Sequence, residues 1–184
     1  MNYIETAIAG VWLLEPEVFR DSRGYFVETY RQDDFERHIG RVAFMQDNES
    51  CSVKGVLRGL HYQLAPCSQA KLVRVIQGTV LDVAVDVRRH SPTFGKAFAV
   101  ELSGENKLQL FIPKGFAHGF HVLSGTAVFT YKVDSPYAPA YERGIRFDDP
   151  AIEIDWKRTG TEAPILSGKD VKLPLLKEAE LNFE

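Results

Sequence analysis

Short segments with β-strand character, separated by turn residues, restrict the fold of this chain more than any other feature of its sequence. Each segment is rich in β-branched and aromatic residues, and several alternate apolar and polar positions with a period of two. The segments are 25–30, 71–78, 79–87, 96–102, 108–113 and 127–133. Gly, Pro, Asn and Ser fall between them at short intervals. Many short strands at this spacing predict a mainly β protein with a sandwich or barrel architecture.

Segments that favour helix are scarce. Asp33 and Glu36 have the spacing of a capping box, and Gly40 is placed as a helix-terminating glycine, so a short helix is predicted at 34–39. A second helix is expected near 175–181, within an irregular C-terminal stretch that we expect to wrap over the barrel. Because no repeat or linker divides the chain, residues 1–184 are expected to form one domain with an N-terminal arm.

The charge balance and the cysteine content exclude several classes of protein. The 22 basic and 25 acidic residues give a net charge of −3, which argues against a general nucleic-acid-binding protein. A run of about 18 apolar residues is missing, so no transmembrane helix is expected. The N-terminus carries Glu5 and lacks the basic start of a signal peptide. Cys51 and Cys67 are too few for a disulfide framework, and a reduced, cytoplasmic protein is predicted.

The segment 79–87 contains an acidic residue whose environment the pattern leaves open. Asp82 shares its strand face with Val80 and Ala84. A carboxylate between such neighbours is either buried, in which case it needs a partner, or exposed on a solvated outer face.

Two glycine-containing motifs carry the residues best suited to chemistry. In GVLRGLHYQ, strict alternation would place Arg58 and His61 on opposite faces, but a bulge at Gly59 would bring both to one side. In IPKGFAHGFHVL, two glycines would let the backbone turn tightly and expose His118. The alternatives are a structural histidine in a strand and a glycine-rich hairpin with incidental histidines.

The spacing of these motifs resembles that of the two cupin motifs, with Gly-x5-His ending at His61 and Pro-x-Gly-x-x-His ending at His118. Metal-binding cupins have His-x-His and then Glu in the first motif, whereas this chain has Gln63 and Lys71 at those positions. Two neutral imidazoles beside an ammonium make a poor Zn²⁺ or Fe²⁺ site. The sequence therefore predicts a cupin-type double-stranded β-helix, or jelly-roll barrel, that uses no metal and no cofactor.

Such a barrel without a metal is suited to proton abstraction next to a carbonyl group. A His base removes the proton, Lys or Arg stabilises the enolate oxygen, and a Tyr acid returns a proton to the opposite face, which inverts the carbon. Tyr131 alternates with Phe129 and Val133 in its segment, so it can point into the barrel, although packing alone also accounts for a tyrosine in a strand.

Taken together, the motifs resemble those of the dTDP-4-dehydrorhamnose 3,5-epimerase family. They occur in the expected order along nearly the whole chain, as FRDSRGYFVETY, QDNES, GVLRGLHYQ, AKLVRVIQGTVLDVAVDVR, IPKGFAHGF, TYKVDSPYAP and LSGKD. The resemblance implies inversion of C3 and C5 of dTDP-4-dehydro-6-deoxy-D-glucose on the route to dTDP-L-rhamnose. It assigns His61 as the general base, Asp170 as its carboxylate partner, Tyr131 as the general acid and Lys71 as the cation that stabilises the enolate.

The resemblance also implies a set of substrate contacts. Arg58 is similar to a ligand of the diphosphate, and His118 to a second pocket histidine with Asp82 as its partner. Further contacts with the nucleotide and the sugar are implied at Arg23, Phe26, Glu28, Gln46, Asp47, Asn48, Tyr137, Glu142 and Lys169. The N-terminal segment of the family reaches a neighbouring subunit, so the resemblance implies a homodimer with shared sites, and no nucleic-acid or membrane partner.

Three other functions remain open at the level of sequence. The same motifs permit a mono-epimerase that acts at C5 or C3 only. A non-catalytic sugar-nucleotide-binding cupin would bind dTDP without exchanging protons, although binding alone needs no matched base and acid. A metal-dependent cupin oxygenase or isomerase would need the ligands that Gln63 and Lys71 replace.

Overall fold

The chain is described by a computed structural model that covers residues 1–158 and 163–184. Within these residues the structure has one α-helix, α1 (Gln32–His38), and thirteen strands. The strands are β1 (Asn2–Glu5), β2 (Trp12–Glu15), β3 (Val18–Asp21), β4 (Gly24–Val27), β5 (Gln46–Val53), β6 (Leu57–Gln63), β7 (Lys71–Gln77), β8 (Thr79–Asp86), β9 (Ala97–Ser103), β10 (Gln109–Ile112), β11 (Phe116–Val122), β12 (Thr126–Val133) and β13 (Glu142–Gly144).

Two antiparallel sheets form the body of the molecule. The first has six strands in the order β1-β2-β10-β7-β12-β5, and the second has five in the order β13-β6-β11-β8-β9. A separate hairpin of β3 and β4 forms the N-terminal arm. The prediction of a mainly β chain with few helices is therefore confirmed.

The space between the two sheets is the central core. It is filled by apolar side chains from both sheets, including Val73, Val80, Leu110, Phe120 and Phe129, which are all buried. Each fully buried side chain of this size contributes roughly 1.5–3 kcal/mol, so this layer is a major source of stability. The site described below borders this core, because His118 and Tyr131 each lie 6.0 Å from Phe129 between ring centroids.

The outer faces of the sheets are also covered. Side chains from residues 152–158 and 163–184 pack over the five-stranded sheet, where Trp156 and Phe183 bury Leu81 and Val83. We call these two stretches the C-terminal wrap. Helix α1 covers the six-stranded sheet through Phe35, whose ring centroid lies 5.2 Å from that of Phe111.

Strand β8 is consequently buried on both faces, which decides the environment of Asp82. Leu81, Val83 and Val85 face the C-terminal wrap, and Val80 and Ala84 face the central core. Asp82 has no exposed surface, so the solvated alternative is wrong.

Several predicted boundaries differ from those observed. The strand predicted at 25–30 ends at Val27, because the chain leaves the hairpin there, and Glu28 therefore does not share a strand face with Phe26. The predicted helix at 34–39 exists, but it begins at Gln32 and its N-cap is Arg31, with no side-chain cap. The capping-box prediction is therefore wrong. Gly40 follows the helix with φ +115°, as expected for a terminating glycine.

The prediction of a second helix near 175–181 is wrong: a single 3₁₀ turn, Leu176–Glu178, stands there, and another, Asp170–Lys172, precedes it. Contacts with the body of the protein take the place of helical hydrogen bonds here. The backbone N–H of Leu176 donates to Asp149, and the backbone of Ile165 bonds to Gly55 and Leu57 beside β6. These anchors hold the stretch that carries Asp170 against the five-stranded sheet.

Candidate active site

A β-bulge in β6 places two functional side chains on one face of the strand. Arg58 pairs with Phe120 of β11 and His61 pairs with His118, so β6 has one more residue than β11 between these two pairs. As a result Leu57 and Leu60 both pack on the outer face, and Arg58 and His61 both turn inward. The bulge predicted from the sequence is confirmed.

Gly59 makes this bulge possible. Its φ is +124°, a conformation that L side chains rarely adopt. A Cβ built at this position would lie 2.5 Å from the Cα of Gly119 in the neighbouring strand. Any other residue would have to push the two backbones apart.

His61, which is part-buried, and Asp170, which is buried, form a hydrogen-bonded pair. Nε2 of His61 lies 2.5 Å from Oδ1 of Asp170, and the hydroxyl of Ser167 donates to Oδ2 at 2.8 Å. Burial favours a higher pKa for Asp170, but the hydrogen bonds from His61 and Ser167 prevail and lower it. Asp170 is therefore a carboxylate that accepts a hydrogen bond from the imidazole and fixes its orientation. A donated Nε2–H leaves the lone pair on Nδ1, which is the atom able to accept a proton.

A second histidine–carboxylate pair lies deeper in the same space. Nε2 of His118 is 2.9 Å from Oδ2 of Asp82, and both side chains are buried. Burial lowers the pKa of His118, although the charge of Asp82 opposes the shift. Among the described residues, Oδ1 of Asp82 is the one buried side-chain oxygen or nitrogen without a hydrogen-bond partner.

Lys71 supplies a positive charge beside these pairs. It begins β7 on the face that continues through Val73 into the central core. Burial lowers the pKa of Lys71 to about 8, and the nearby charges of Asp82 and Glu142 oppose this shift. An ammonium in such a place can stabilise an oxyanion with little competition from water.

Tyr131 comes from the opposite wall of the site. It lies on β12 of the six-stranded sheet and contacts Phe129 of the core, with 6.0 Å between ring centroids. Burial raises the pKa of Tyr131, and the charge of Arg58 opposes this rise. The phenol therefore keeps its proton near neutral pH and can donate it.

Arg58 reaches from the five-stranded sheet towards the six-stranded one. Its Nε and Nη2 atoms lie 3.2 and 3.1 Å from the hydroxyl of Ser52 on β5. This contact holds a permanent, forked cation near Tyr131, which suits a phosphate ligand.

Five of the predicted substrate contacts form one network at the rim. The phenol of Tyr137 donates to Oε2 of Glu142 at 2.9 Å, and Nζ of Lys169 donates to the same oxygen at 2.5 Å. Burial favours a higher pKa for Glu142, but these two donors prevail and lower it. Gln46 accepts from the backbone of Tyr137 at 3.3 Å and donates to Asn48 at 2.8 Å.

Asp47 lies on the other side of β5. The face of Gln46, Asn48 and Ser52 points inward, so alternation directs Asp47 outward. There it forms an ion pair of 2.9 Å with Lys132. The structure does not bring Asp47 together with the His61 group.

The three predicted contacts of the N-terminal arm also lie apart from this group. Arg23 pairs with Asp21 of its own hairpin at 2.6 Å, and Phe26 is 68% exposed. Glu28 lies beyond the hairpin, 3.8 Å from Arg31. Among the described residues of this single chain, no hydrogen bond or ion pair joins these three side chains to His61.

Gln63 stands where metal-binding cupins have their second histidine. Its side chain forms hydrogen bonds with backbone groups of other segments. Its Nε2 donates to the carbonyl groups of Cys67 and Pro136, and its Oε1 accepts from Ala138. In the described part of the chain, no three His, Cys, Asp or Glu side chains are grouped so that they could hold a metal ion.

Sequence reasoning missed Ser52, Ser167 and the structural role of Gln63. Ser167 lies three residues before Asp170, a spacing at which a hydroxyl often bonds to a following backbone N–H, so a local signal was present. The contacts of Ser52 and Gln63 join distant segments, and nothing local in the sequence indicates them.

Known proteins are similar to this chain over nearly its whole length. A family model described as dTDP-4-dehydrorhamnose 3,5-epimerase matches residues 5–178. The chain belongs to this family. The epimerase of Shigella flexneri is 55% identical over 172 residues, which are 93% of each chain.

A solved structure shows the same fold in a member of the family. The dTDP-6-deoxy-D-glucose-3,5-epimerase of Legionella pneumophila, in complex with dTDP-4-keto-L-rhamnose, superimposes with a TM-score of 0.92 at 49% identity. The match covers 96% of this chain and 93% of that chain. The predicted cupin-like architecture is thereby confirmed.

A mono-epimerase is also similar, at lower identity. The dTDP-4-dehydrorhamnose 3-epimerase of Streptomyces niveus is 41% identical over 94% of this chain and 82% of its own length. The double epimerases named above are thus more similar to this chain than this C3-specific relative. Among the described residues of this chain, no helix is long and apolar enough to span a membrane.

Proposed function

We propose that this protein inverts both C3 and C5 of dTDP-4-dehydro-6-deoxy-D-glucose to give dTDP-4-dehydro-L-rhamnose. The observation that carries the proposal is that a histidine and a tyrosine lie on opposite sheets. His61 stands on the five-stranded sheet and Tyr131 on the six-stranded sheet, with Lys71 near the histidine pairs. Inversion requires removal of a proton from one face of a carbon and its return to the other.

The first step is proton abstraction next to the 4-keto group. Nδ1 of His61 takes the proton as the C–H bond breaks, and the electron pair moves to the carbonyl oxygen to form an enolate. Asp170 stabilises the imidazolium that results, because its carboxylate is already hydrogen-bonded to Nε2. The ammonium of Lys71 stabilises the enolate oxygen.

The second step returns a proton to the opposite face. The carbonyl re-forms as the electron pair of the enolate takes the proton of the Tyr131 phenol, and the configuration of the carbon is inverted. Water then reprotonates the phenolate and accepts the proton from His61. Because both C3 and C5 lie next to C4, the same pair of residues serves both centres.

The nucleotide half of the substrate is assigned to the rim of the site. Arg58 holds the diphosphate, because a forked and permanent cation matches its oxygens. Tyr137 offers a half-exposed ring for the thymine base, and Gln46 and Asn48 offer amides for its polar edge. Glu142 and Lys169 connect this region to the catalytic pair, since Lys169 directly precedes Asp170.

A homodimer with shared sites is part of the proposal. The arm of β3 and β4 exposes Phe19, Tyr25 and Phe26, each more than half accessible, and an apolar surface of this kind favours contact with another subunit. A partner's arm would bring its Arg23 and Phe26 to the rim of this chain's site.

Mixing two inactive variants tests the shared site. Chains with Arg23→Ala and chains with His61→Asn are unfolded and refolded together. If the arm serves the partner, each mixed dimer has one intact site out of two. About half of the dimers are mixed, so about a quarter of wild-type activity returns. Arms that serve their own chain predict no recovery.

The cytoplasm is the proposed location. Cys51 and Cys67 are both free thiols, and Cys51 is exposed, which fits a reducing compartment. Fractionation of cells that produce the protein tests this assignment.

The catalytic assignment is tested by separating binding from turnover. We expect His61→Asn to keep the affinity for dTDP within about twofold while turnover falls by about 10⁴-fold, the loss typical of removing a catalytic base. His90→Asn changes an exposed histidine and serves as the control. Turnover of His61→Asn at the wild-type rate would contradict the proposal, and a binding protein without catalysis would show no turnover in either form.

A further inference from the structure

The loop that carries Tyr137 is fixed by side chains from other segments. Gln63 of β6 makes three hydrogen bonds to it or to its neighbour, with Nε2 donating to Pro136 at 3.2 Å and to Cys67 at 2.6 Å. Its Oε1 accepts from the backbone N–H of Ala138 at 2.7 Å. The loop residues on both sides of Tyr137 are therefore bonded to a single amide.

The chemistry of these partners fixes the orientation of the Gln63 amide. Two carbonyl oxygens face its NH₂ group and one N–H faces its oxygen, so a flipped amide would oppose like groups at all three contacts. Gln63 is only 4% exposed. Loss of its amide would leave buried backbone groups unpaired, which releases the loop.

Gln69 provides a second anchor at the start of the same loop. Its Nε2 donates to the carbonyl of Ser135 at 2.7 Å. Before it, the carboxylate of Asp134 accepts from the backbone of Ala70 at 2.7 Å and pairs with Lys114 at 2.9 Å. The loop is thus bonded through the side chain of Asp134 and through the backbone of residues 135–138.

The ring of Tyr137 benefits from these anchors because packing does not hold it. It is 51% exposed, and its orientation is set by hydrogen bonds, from its phenol to Glu142 and from its backbone to Gln46. An exposed aromatic ring that is already fixed loses little conformational entropy when a flat ligand stacks on it.

We propose that Gln63 is a positioning residue for nucleotide binding, which acts through Tyr137 by holding the loop 134–138 in its binding-competent conformation, with Gln69 as a weaker second anchor. The proposal rests on the proposed function in so far as Tyr137 contacts the nucleobase. It gives Gln63 a role different from that of the metal-ligating histidine at the same position in metal-binding cupins.

The expected effect falls on binding and spares the chemistry. Gln63→Met keeps the length of the side chain but removes the amide. We expect the Kd for dTDP to rise about tenfold, because the loop must then lose conformational entropy when dTDP binds. At saturating substrate, kcat stays within about twofold, because among the described residues no hydrogen bond joins Gln63 to His61 or Tyr131.

A double-mutant cycle with Tyr137→Ala distinguishes positioning from general damage. If Gln63 acts through Tyr137, Gln63→Met changes the Kd for dTDP less than about twofold when Tyr137 is already alanine. A tenfold rise that persists in the Tyr137→Ala background overturns the proposal, and so does a fall in kcat at unchanged affinity.

Two further variants make the test independent of folding. Gln69→Met removes the partly exposed second anchor, and we expect a rise in Kd of about threefold with the same dependence on Tyr137. Gln32→Met is the control, because the amide of Gln32 bonds only to Glu36 on the surface of α1. If Gln63→Met does not fold, the double-mutant cycle of Gln69→Met and Tyr137→Ala tests the proposal instead. A rise in Kd for Gln69→Met that is equally large in the Tyr137→Ala background rejects the proposal.

Failure of the proposed function gives a different result. A wild-type protein that binds dTDP but exchanges no protons contradicts the epimerase assignment. The Kd values for dTDP then still test the positioning role of Gln63. A wild-type protein that does not bind dTDP at all overturns both.

Discussion

At the scale of single residues, the site depends on how the protein pairs its charges. Each histidine in the pocket has its own carboxylate, with Asp170 bonded to His61 and Asp82 bonded to His118. The pairs differ in exposure, because His61 is part-buried and His118 is buried. The more accessible pair is the one suited to reach a substrate, which is why we assign the base to His61.

Sequence reasoning could identify these residues but not all their partners. Asp82 was recognised as a group that needs a partner if buried, because Val80 and Ala84 flank it in the strand. The bond between His61 and Asp170 joins positions 109 residues apart. No periodicity connects such positions, so this pairing came from the family resemblance alone.

The first prediction concerns the pH dependence of Lys71. Burial lowers its pKa to about 8, against the charges of Asp82 and Glu142, and the neighbouring His118 adds no positive charge when it is neutral. The ammonium is present below that pH and is lost above it. We therefore expect kcat/KM, which reports the free enzyme, to fall as pH rises through about 8.

Lys71→Arg provides the matched test of this assignment. A guanidinium does not titrate in this range, so the variant should lose the fall near pH 8 while its rate at neutral pH is lower, because the geometry of the cation has changed. Steady-state rates between about pH 6 and 10 measure both profiles. A fall near pH 8 that persists in Lys71→Arg would assign the titration to another group.

At the scale of elements, the bulge in β6 is the local irregularity on which the site depends. Regular alternation would direct either Arg58 or His61 away from the pocket. The bulge could be predicted because a glycine stands between two functional residues in a strand. The boundaries of α1 could not, since Asp33 and Glu36 have the right spacing but the chain starts its helix at Gln32 instead.

The second prediction tests whether the bulge requires glycine, by comparing alanine substitutions at Gly59 and Gly125. Gly59→Ala would place its Cβ against the backbone of Gly119 and His118 at a positive φ, so we expect a loss of at least about 2 kcal/mol in the free energy of unfolding. Activity should fall further than stability explains, because Arg58 and His61 move together. Urea unfolding followed by circular dichroism measures the first effect.

Gly125→Ala is the control for this substitution. A Cβ at Gly125 meets nothing within 4 Å, so stability and activity should both stay close to wild type. Equal behaviour of the two alanine variants would show that the bulge does not require glycine.

The third prediction concerns the turn that follows β8. Asp86 accepts bonds from Arg88, Ser91 and Thr93, and these bonds lower its pKa to about 2 although its burial favours a higher value. Its contribution to stability is present above the pKa of about 4 in the unfolded chain and is lost as pH falls through about 2.

Asp86→Asn should therefore destabilise the protein at neutral pH by about 3 kcal/mol, because Arg88 loses its partner. The difference from wild type should shrink as the pH approaches 2, and urea unfolding at several pH values measures it. A difference that does not depend on pH would contradict this account.

At the scale of the whole molecule, the sequence predicts the layers better than the connections between them. Alternation in the strands identified the mainly β fold, and the motif order identified the family. The helix expected at 175–181 is absent because anchors such as the bond from Leu176 to Asp149 fix an irregular path instead. Contacts of this kind depend on the folded molecule and leave no periodic signal.

The arrangement of layers explains why the site lies where it does. The C-terminal wrap packs on the outer face of one sheet and α1 on that of the other, and a third apolar cluster fills the space between the sheets. Asp170 is carried by the wrap and His61 by the sheet beneath it. Docking of the wrap therefore completes the hydrogen-bonded pair of His61 and Asp170.

The central claim is that one base and one acid exchange protons at both carbons next to C4. Proton NMR of dTDP-4-dehydro-6-deoxy-D-glucose incubated with the protein in D₂O measures this directly. The account predicts deuterium at both C3 and C5, together with the inverted product. Deuterium at one carbon only would make the protein a mono-epimerase, and no incorporation with dTDP still bound would contradict the catalytic assignment altogether.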